Sequence, residues 1–285
     1  MYRLPDATNL GRVVLQVSNL EQSRAYYEDL LGLRVIAGSG EALMLGAHGS
    51  DRVLVELRSG AGVQPLSRPR LGLYHFAILL PSRQDLGRFV RHLAERHVRA
   101  GTADHLVSEA LYLQDPDNLG IEVYADRPRE SWRYNGSELA MASDPLDIAS
   151  LVAAAGDAPW AGMPAGTVIG HVHLHVGDLD EGARFYHEAL GLDKVVWSYP
   201  GALFLSAGGY HHHLGTNTWA RGASPAGARD AQLLEWNIVV PDEGDLTAVA
   251  GNLEQSGAVV TRDDRSVQVL DPWGTAVRLV TKDGG

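Results

Sequence analysis

GHVHLHVGDLDEGARFYHEALGL, residues 170–192, lines up without a gap on GRVVLQVSNLEQSRAYYEDLLGL, residues 11–33. Each copy reads as an alternating strand, an Asn/Asp-Leu turn suited to capping a helix, an amphipathic helix, and a glycine near the helix end. Internal self-similarity of this kind marks a chain assembled from repeated units. Two further segments begin similarly, LYHFAILLPSRQDLGRFVRHL (73–93) and LEWNIVVPDEGDLTAVAGNL (234–253), each an apolar strand, a proline, polar residues and a helix. Short alternating runs follow all four: ALMLG and RVLVELR, ALYLQ and GIEVYA, ALFLSAGG and YHHHLG, SVQVLD and TAVRLV. The chain therefore reads as an α+β protein of four βαβββ modules, near 10–60, 71–126, 169–219 and 232–281. A segment rich in Pro, Gly, Ala and charge separates modules two and three. Its stretch DPLDIASLVAAAGD predicts one short helix, with Asp144 as cap and Pro145 at the first position. The sequence thus divides into a domain at 1–126, a linker at 127–168 and a domain at 169–285, the modules forming two open, barrel-like mixed sheets.

Composition narrows the function. The 285 residues suffice for two ordinary cores. No apolar run approaches the ~18 residues of a membrane span. The N-terminus lacks the basic-then-apolar pattern of a signal peptide. The absence of cysteine excludes disulfides, thiolate metal sites and cysteine nucleophiles, and suits a cytoplasmic location. A net charge of −11 argues against nucleic acid as a partner. Of twelve histidines, six fall at 171, 173, 175 and 211–213. Any metal must therefore be held by His and carboxylate.

Matched positions in the modules show where. The first strands carry Arg12, His75, His171 and Glu235, and the last strands Glu56, Glu122, a residue of YHHHLG, and Arg278. Alternation places His171, His173 and His175 on one strand face and Val172, Leu174 and Val176 on the other. Glu122 sits in the apolar run GIEVYA, where a lone carboxylate is costly to bury and needs a metal or an Arg. Two His and one carboxylate form the facial triad of non-haem Fe(II) oxygenases, although zinc hydrolases use similar sets.

GLYHFAILLP, DHLVSEALYLQDPDNLGIEVYADRPR, GHVHLHVGDL and SAGGYHHHLGTNTW together resemble the vicinal oxygen chelate superfamily (glyoxalase, bleomycin-resistance proteins, extradiol dioxygenases), especially two-domain bacterial proteins of the catechol 2,3-dioxygenase kind. The likeness covers nearly the whole chain. It implies an oxidoreductase of aromatic hydrocarbon catabolism, using Fe(II) and O2 to open a small aromatic diol to a semialdehyde. Fe(II) is the expected cofactor, and Mn(II) accepts the same ligands. By this resemblance His75, Glu122 and His171 are the metal ligands. Tyr112, His105 and His211 take catalytic roles, Tyr112 touching substrate oxygen and one of the histidines moving a proton. Asn118 stands where the family has glycine in DPDG, and asparagine also tolerates the left-handed turn.

Module pairing decides whether the triad assembles. If neighbours pair, no site holds all three ligands. If modules two and three pair, His75, His171 and Glu122 meet, and modules one and four form a barrel without metal, its Arg12 and Arg278 paired with Glu56 or Glu235. Coordination chemistry favours the second arrangement. His173 and His175 are then cavity walls, and Trp132, Tyr134, Trp160 and Trp219 are packing residues or a roof. The rival functions are a glyoxalase-like isomerase, which needs a second carboxylate ligand, and a metal-free ligand-binding protein. Cleavage of a hydroquinone is a related option. The sequence allows a homo-oligomer without specifying one.

Overall fold

The computed structural model describes residues 2–263 and 265–282. Sixteen of its described strands form two eight-stranded mixed sheets, each taking its strands from two modules, and Tyr134–Asn135 pairs separately with Glu138–Leu139 in the linker. In one, Val168–His175 of module three lies antiparallel to Gly72–Leu79 of module two. In the other, Asn9–Val17 of module one lies antiparallel to Gln232–Val240 of module four. Modules two and three therefore pair, as coordination chemistry favours. The halves 1–126 and 169–285 are divisions of the sequence and not of the sheets: each half contributes one module to each sheet. The physical reason is that the first strand of each module has a free edge, and the partner that covers it comes from across the linker.

Within a module the first strand runs parallel to the last, as Phe76 opposite Ile121 and Ala77 opposite Glu122 show. The helix makes the crossover that a parallel pair requires. Asn19 and Asp178 cap the first helices of modules one and three by accepting from Gln22 N, and from Asp180 N and Glu181 N. Both helices then widen into π-turns, Tyr26–Leu30 and Arg184–Ala189. These turns carry two matched tyrosines. The Tyr27 hydroxyl donates to Asp115 of module two at 3.1 Å, and Tyr186 donates to Asp271 of module four at 2.6 Å. Each aspartate also accepts two backbone N–H groups of its own turn. Consecutive modules, which lie in different sheets, are thus latched by a buried Tyr–Asp bond. Asn118 in the first of these turns has φ +64°, the left-handed geometry expected of it, and Gly274 holds the matching place at +92°.

One continuous apolar core runs between the sheets and includes Leu15, Phe76, Val172, Leu174 and Trp236. Two expectations need correction. The linker helix is Ile148–Ala154, and its cap is Asp147, which accepts from Ser150 N. Asp144 is instead engaged through its backbone, exchanging 2.9 Å hydrogen bonds with Asp104. The strand expected at YHHHLG begins only at Leu214 and runs to Asn217. Among the described residues no helix is long and apolar enough to cross a membrane.

Candidate active site

Register builds the site. On the inner face of the sheet made by modules two and three, His171 stands opposite Ala77, Ala77 opposite Glu122, and Glu122 opposite Tyr112. One row higher, His173 stands opposite His75. Ala77 is the small residue between His171 and Glu122, leaving a hollow that their side chains share. Two irregularities in the central pairing, between Ile169 and His171 and between His173 and Leu174, adjust the fit. The first leaves Gly170 unpaired. A Cβ there would lie 1.8 Å from the Tyr124 hydroxyl, so only glycine lets that ring pass. The second leaves Tyr74 as the extra residue, and the bulge turns it into the same cavity as His75.

His75, Glu122 and His171 each offer a ligand atom, all within 4.8 Å of one another. His75 Nε2 lies 3.0 Å and His171 Nε2 3.1 Å from the same oxygen, Glu122 Oε2. All three side chains are buried. His75 Nε2, Glu122 Oε1 and His171 Nδ1 lack a hydrogen-bond partner. Unpaired buried polar atoms are expensive, and His75 Nε2 and Glu122 Oε1 are two of them on side chains that converge with His171 Nε2, which fits a bound cation. Burial alone would raise the Glu122 carboxyl, but His171 and His75 outweigh it and hold the acid well below its usual range. Burial lowers His171 to about 4, against the pull of Glu122. An ionised carboxylate and a neutral imidazole are the forms that ligate metal.

His75 and Glu122 line a cavity of about 250 Å³. His105 and Tyr112 also line it, joined in one chain. The Ala142 carbonyl can only accept, so His105 Nδ1–H donates to it at 2.6 Å. Its Nε2 lies 2.6 Å from the Tyr112 hydroxyl, in hydrogen-bonding reach. Burial first, then the charge on Glu122, push the Tyr112 hydroxyl well above the ordinary phenol range. It stays protonated. His173 and His175 share Asn217, whose amide donates to His173 Nε2 at 2.9 Å and accepts from His175 Nδ1–H at 2.7 Å.

His211 is fully buried, with Nε2 2.9 Å from Asp126. The ring that lines the cavity is His212, centred 4.0 Å from that of His171. The reason is local: because 211–213 precede the strand, the alternation assumed for YHHHLG does not apply there. Sequence reasoning also missed Tyr74, Asn217, Asp126 and the linker residues Met141–Ser143, which wall the cavity. Asn217 lay within the motif SAGGYHHHLGTNTW, which was the available signal. Among the tryptophans, Trp219 roofs the cavity beside Tyr74, whereas Trp132 packs on Tyr210 and Trp160 on Phe89.

The matching row of the other sheet is Arg12, Asn237, Arg278 and Gln268. Arg12 sits 3.2 Å from Glu56, and Arg278 sits 2.9 Å from Glu235. The arginines thus pair with the two glutamates, as expected of a barrel without metal.

Paired βαβββ modules here bring His75, Glu122 and His171 into a cluster that can hold a metal ion. Residues 9–123 and 168–279 match the Glyoxalase/Bleomycin resistance protein/Dioxygenase superfamily, and the chain belongs to it. A catechol-2,3-dioxygenase from Bacillus subtilis (strain 168) is 40% identical over 276 residues, covering 95% of this chain and 96% of that protein. A structure from Bacillus subtilis, assigned provisionally as a dioxygenase, superposes with TM-score 0.67 at 14% identity, over 100% of this chain and 87% of that one. Glyoxalase I from Zea mays gives TM-score 0.59 at 17% identity, over 98% and 94%. At such identities the two structures speak to fold alone.

Proposed function

We propose that this protein is an extradiol dioxygenase that opens the ring of a catechol with O2, using Fe(II) or Mn(II) held by His75, Glu122 and His171. The observation that carries this reading is the buried triad, with unpartnered His75 Nε2 and Glu122 Oε1, beside a small aromatic cavity. The catechol-2,3-dioxygenase relative supports it. A metal on three protein ligands supplies open positions for both diol oxygens and dioxygen, and a route for electrons between them.

The protein's own groups do the rest. Tyr74, Tyr199, Phe204 and Trp219 make walls that hold an aromatic ring and exclude water. His212 borders the cavity, the place expected of His211, and burial holds its pKa well below the ordinary imidazole range, so a neutral ring faces the substrate. Tyr112 remains protonated and, anchored by His105, offers a hydroxyl to an oxygen of the bound diol. The carbonyl of Ala142 fixes which nitrogen of His105 faces Tyr112, so the linker sets how that ring is turned.

One feature weighs against the glyoxalase-like isomerase. By register, the counterpart of Glu56 in the metal-bearing sheet is Gly215, which stands opposite His173 just as Glu56 stands opposite Val14. A second carboxylate ligand is missing from that position, and a Cβ there would meet the His173 ring at 2.8 Å. The test is to prepare apoprotein, restore Fe(II) without air, and add catechols and hydroquinones while following O2 uptake and absorbance. Stoichiometric uptake with a yellow ring-opened product is expected from a catechol. Bound metal with no oxygen consumed on any diol would overturn the proposal in favour of isomerase chemistry.

A further inference from the structure

The cavity wall made by Met141, Ala142 and Ser143 belongs to the linker, and two anchors on different modules set its place. Just past the wall, Asp144 exchanges 2.9 Å backbone hydrogen bonds with Asp104 of module two. Asp104 is itself held, since its carboxylate accepts from Leu106 N at 2.9 Å and pairs with Arg127 at 2.5 Å. Just before the wall comes the hairpin of Tyr134–Asn135 with Glu138–Leu139, turned by Gly136 at φ +66°. Leu139 is buried with Val107, Val196 and Phe204 in an apolar cluster separate from the main core. Its neighbour Glu138 reaches the turn that follows Asp193–Val196 of module three. There Glu138 Oε1 accepts from the backbone N–H groups of Trp197 and Ser198, both at 2.6 Å. Trp197 is 47% exposed and Ser198 is exposed, so these bonds, and not burial, tie that turn to the linker. Residues 140–143 thus hang as a strap between modules three and two, across the cavity that those modules line.

We propose that Glu138 is a positioning residue for the active site, whose clasp on Trp197 and Ser198 holds the strap where the Ala142 carbonyl meets His105 and keeps that ring beside the Tyr112 hydroxyl. This rests on the reading of the cavity as a diol site. Glu138 does not line the cavity. It acts through the strap, then the 2.6 Å bond from His105 Nδ1 to Ala142 O, then the 2.6 Å contact of His105 with Tyr112. The clasp has a second effect. Tyr199, the residue after the clasped pair, has its hydroxyl 3.3 Å from Ser143 Oγ, and both residues line the cavity. Glu138 therefore also sets the width of the space between the strap and module three, and with it the size of ring substituent that fits.

Both N–H groups go to one oxygen, so Glu138→Gln keeps an acceptor in the same place, whereas Glu138→Ala removes it. Hydrogen exchange in the full-length, ¹⁵N-labelled protein reads the clasp directly. In Glu138→Ala the Trp197 and Ser198 amides and the His105 Nδ1–H should exchange on the order of tenfold faster than in wild type. The Asp144 amide, held by the other anchor, should keep its rate, which separates a lost clasp from general unfolding. Glu138→Gln should retain most of the protection. In Fe(II)-loaded enzyme, kcat for catechol should fall on the order of 10- to 100-fold in Glu138→Ala, the scale of a misplacement of about 1 Å. It should return to within a few-fold of wild type in Glu138→Gln. A wider cavity leaves a signature that lost stability does not: the kcat/KM ratio of tert-butylcatechol to catechol should rise about fivefold or more in Glu138→Ala. Unchanged exchange at Trp197 and Ser198 in Glu138→Ala would overturn the proposal. So would faster exchange with kcat and the substrate ratio both at wild-type values, or equal losses in Glu138→Ala and Glu138→Gln. Absence of diol turnover in the wild type would overturn the diol reading, and the hold of Glu138 on His105 would then be decided by the exchange of the His105 Nδ1–H.

Discussion

Replacing Glu122 by glutamine tests the metal site at its shared ligand. Glutamine keeps the shape of the side chain but removes the charge that offsets a cation between His75 and His171. A ligand that binds only the folded state stabilises it by about 4 kcal/mol at a free concentration of 1,000 Kd. Unfolding entropy of about 2.1 cal/mol/K per residue gives, for 285 residues, roughly 0.6 kcal/mol/K. The two sheets share one apolar core, which justifies treating the chain as one cooperative unit. Saturating Mn(II) should therefore raise the wild-type Tm by about 7 °C. Losing a direct ligand should cost at least the ~100-fold that losing an outer partner of a ligand can cost. At the same metal concentration that leaves about 1.4 kcal/mol, or a shift of roughly 2 °C. Scanning calorimetry with and without Mn(II) measures both. Glu56→Gln is the control, because its carboxylate belongs to the arginine-paired sheet and the full shift should survive. The reasoning fails if Glu122→Gln shows the same shift as wild type, or if the shift is lost in Glu56→Gln instead.

Three other outcomes follow from the geometry. Tyr112→Phe removes the hydroxyl beside His105, and should lower kcat on the order of 100-fold with little change in KM; steady-state O2 uptake that stayed at wild-type levels would remove Tyr112 from the mechanism. Gly215→Ala puts a Cβ 2.8 Å from the His173 ring, an overpacking worth about 1–3 kcal/mol and seen as a Tm drop of about 2–5 °C. Burial pushes the Asp115 carboxyl up from 3.8 to about 7, so it binds its proton more tightly folded than unfolded. Its contribution to stability is full below pH ~4 and is lost as pH rises toward about 7. An asparagine amide oxygen accepts from the same N–H groups without a charge to bury, so Asp115→Asn should flatten the fall in stability between pH ~4 and ~7; an unchanged pH slope in urea titrations would contradict this.

Much of the fold was legible because the repeat is written in matched residues. Asn19 and Asp178 announce two helix starts, Tyr27 and Tyr186 occupy matched turns, and Val172 and Leu174 mark the core face of a strand. The candidate ligands stood out because His75 and His171 occupy corresponding first-strand positions in modules two and three, and Glu122 is a carboxylate in the apolar last strand of module two. What stayed hidden depends on offsets of a single residue. YHHHLG has the composition of a strand, yet its histidines sit in the preceding loop, and the side chain delivered to the cavity is His212. Tyr74 reaches the cavity through a bulge that no alternation rule anticipates. The hold of Ala142 on His105 is a backbone carbonyl, and carbonyls carry no sequence signal.

The two sheets show how one frame carries either a cluster of metal-ligating side chains or ion pairs built into the chain. Matched by register, His171, Ala77 and Glu122 become Arg12, Asn237 and Arg278, and His75 becomes Glu235. The charges invert: a carboxylate between imidazoles gives way to arginines facing carboxylates, with Arg12 near Glu56 and Arg278 bonded to Glu235. A buried carboxylate pair without metal needs cations of its own, and guanidinium groups supply them at fixed positions. Both sheets thereby neutralise the charge on the inner face of the same half-barrel, one with groups that can share a cation and one with cations built into the chain. The aromatic cavity is associated with the first, because only there does the linker cross over, through Met141, Ala142 and Ser143, to close the space beside the triad.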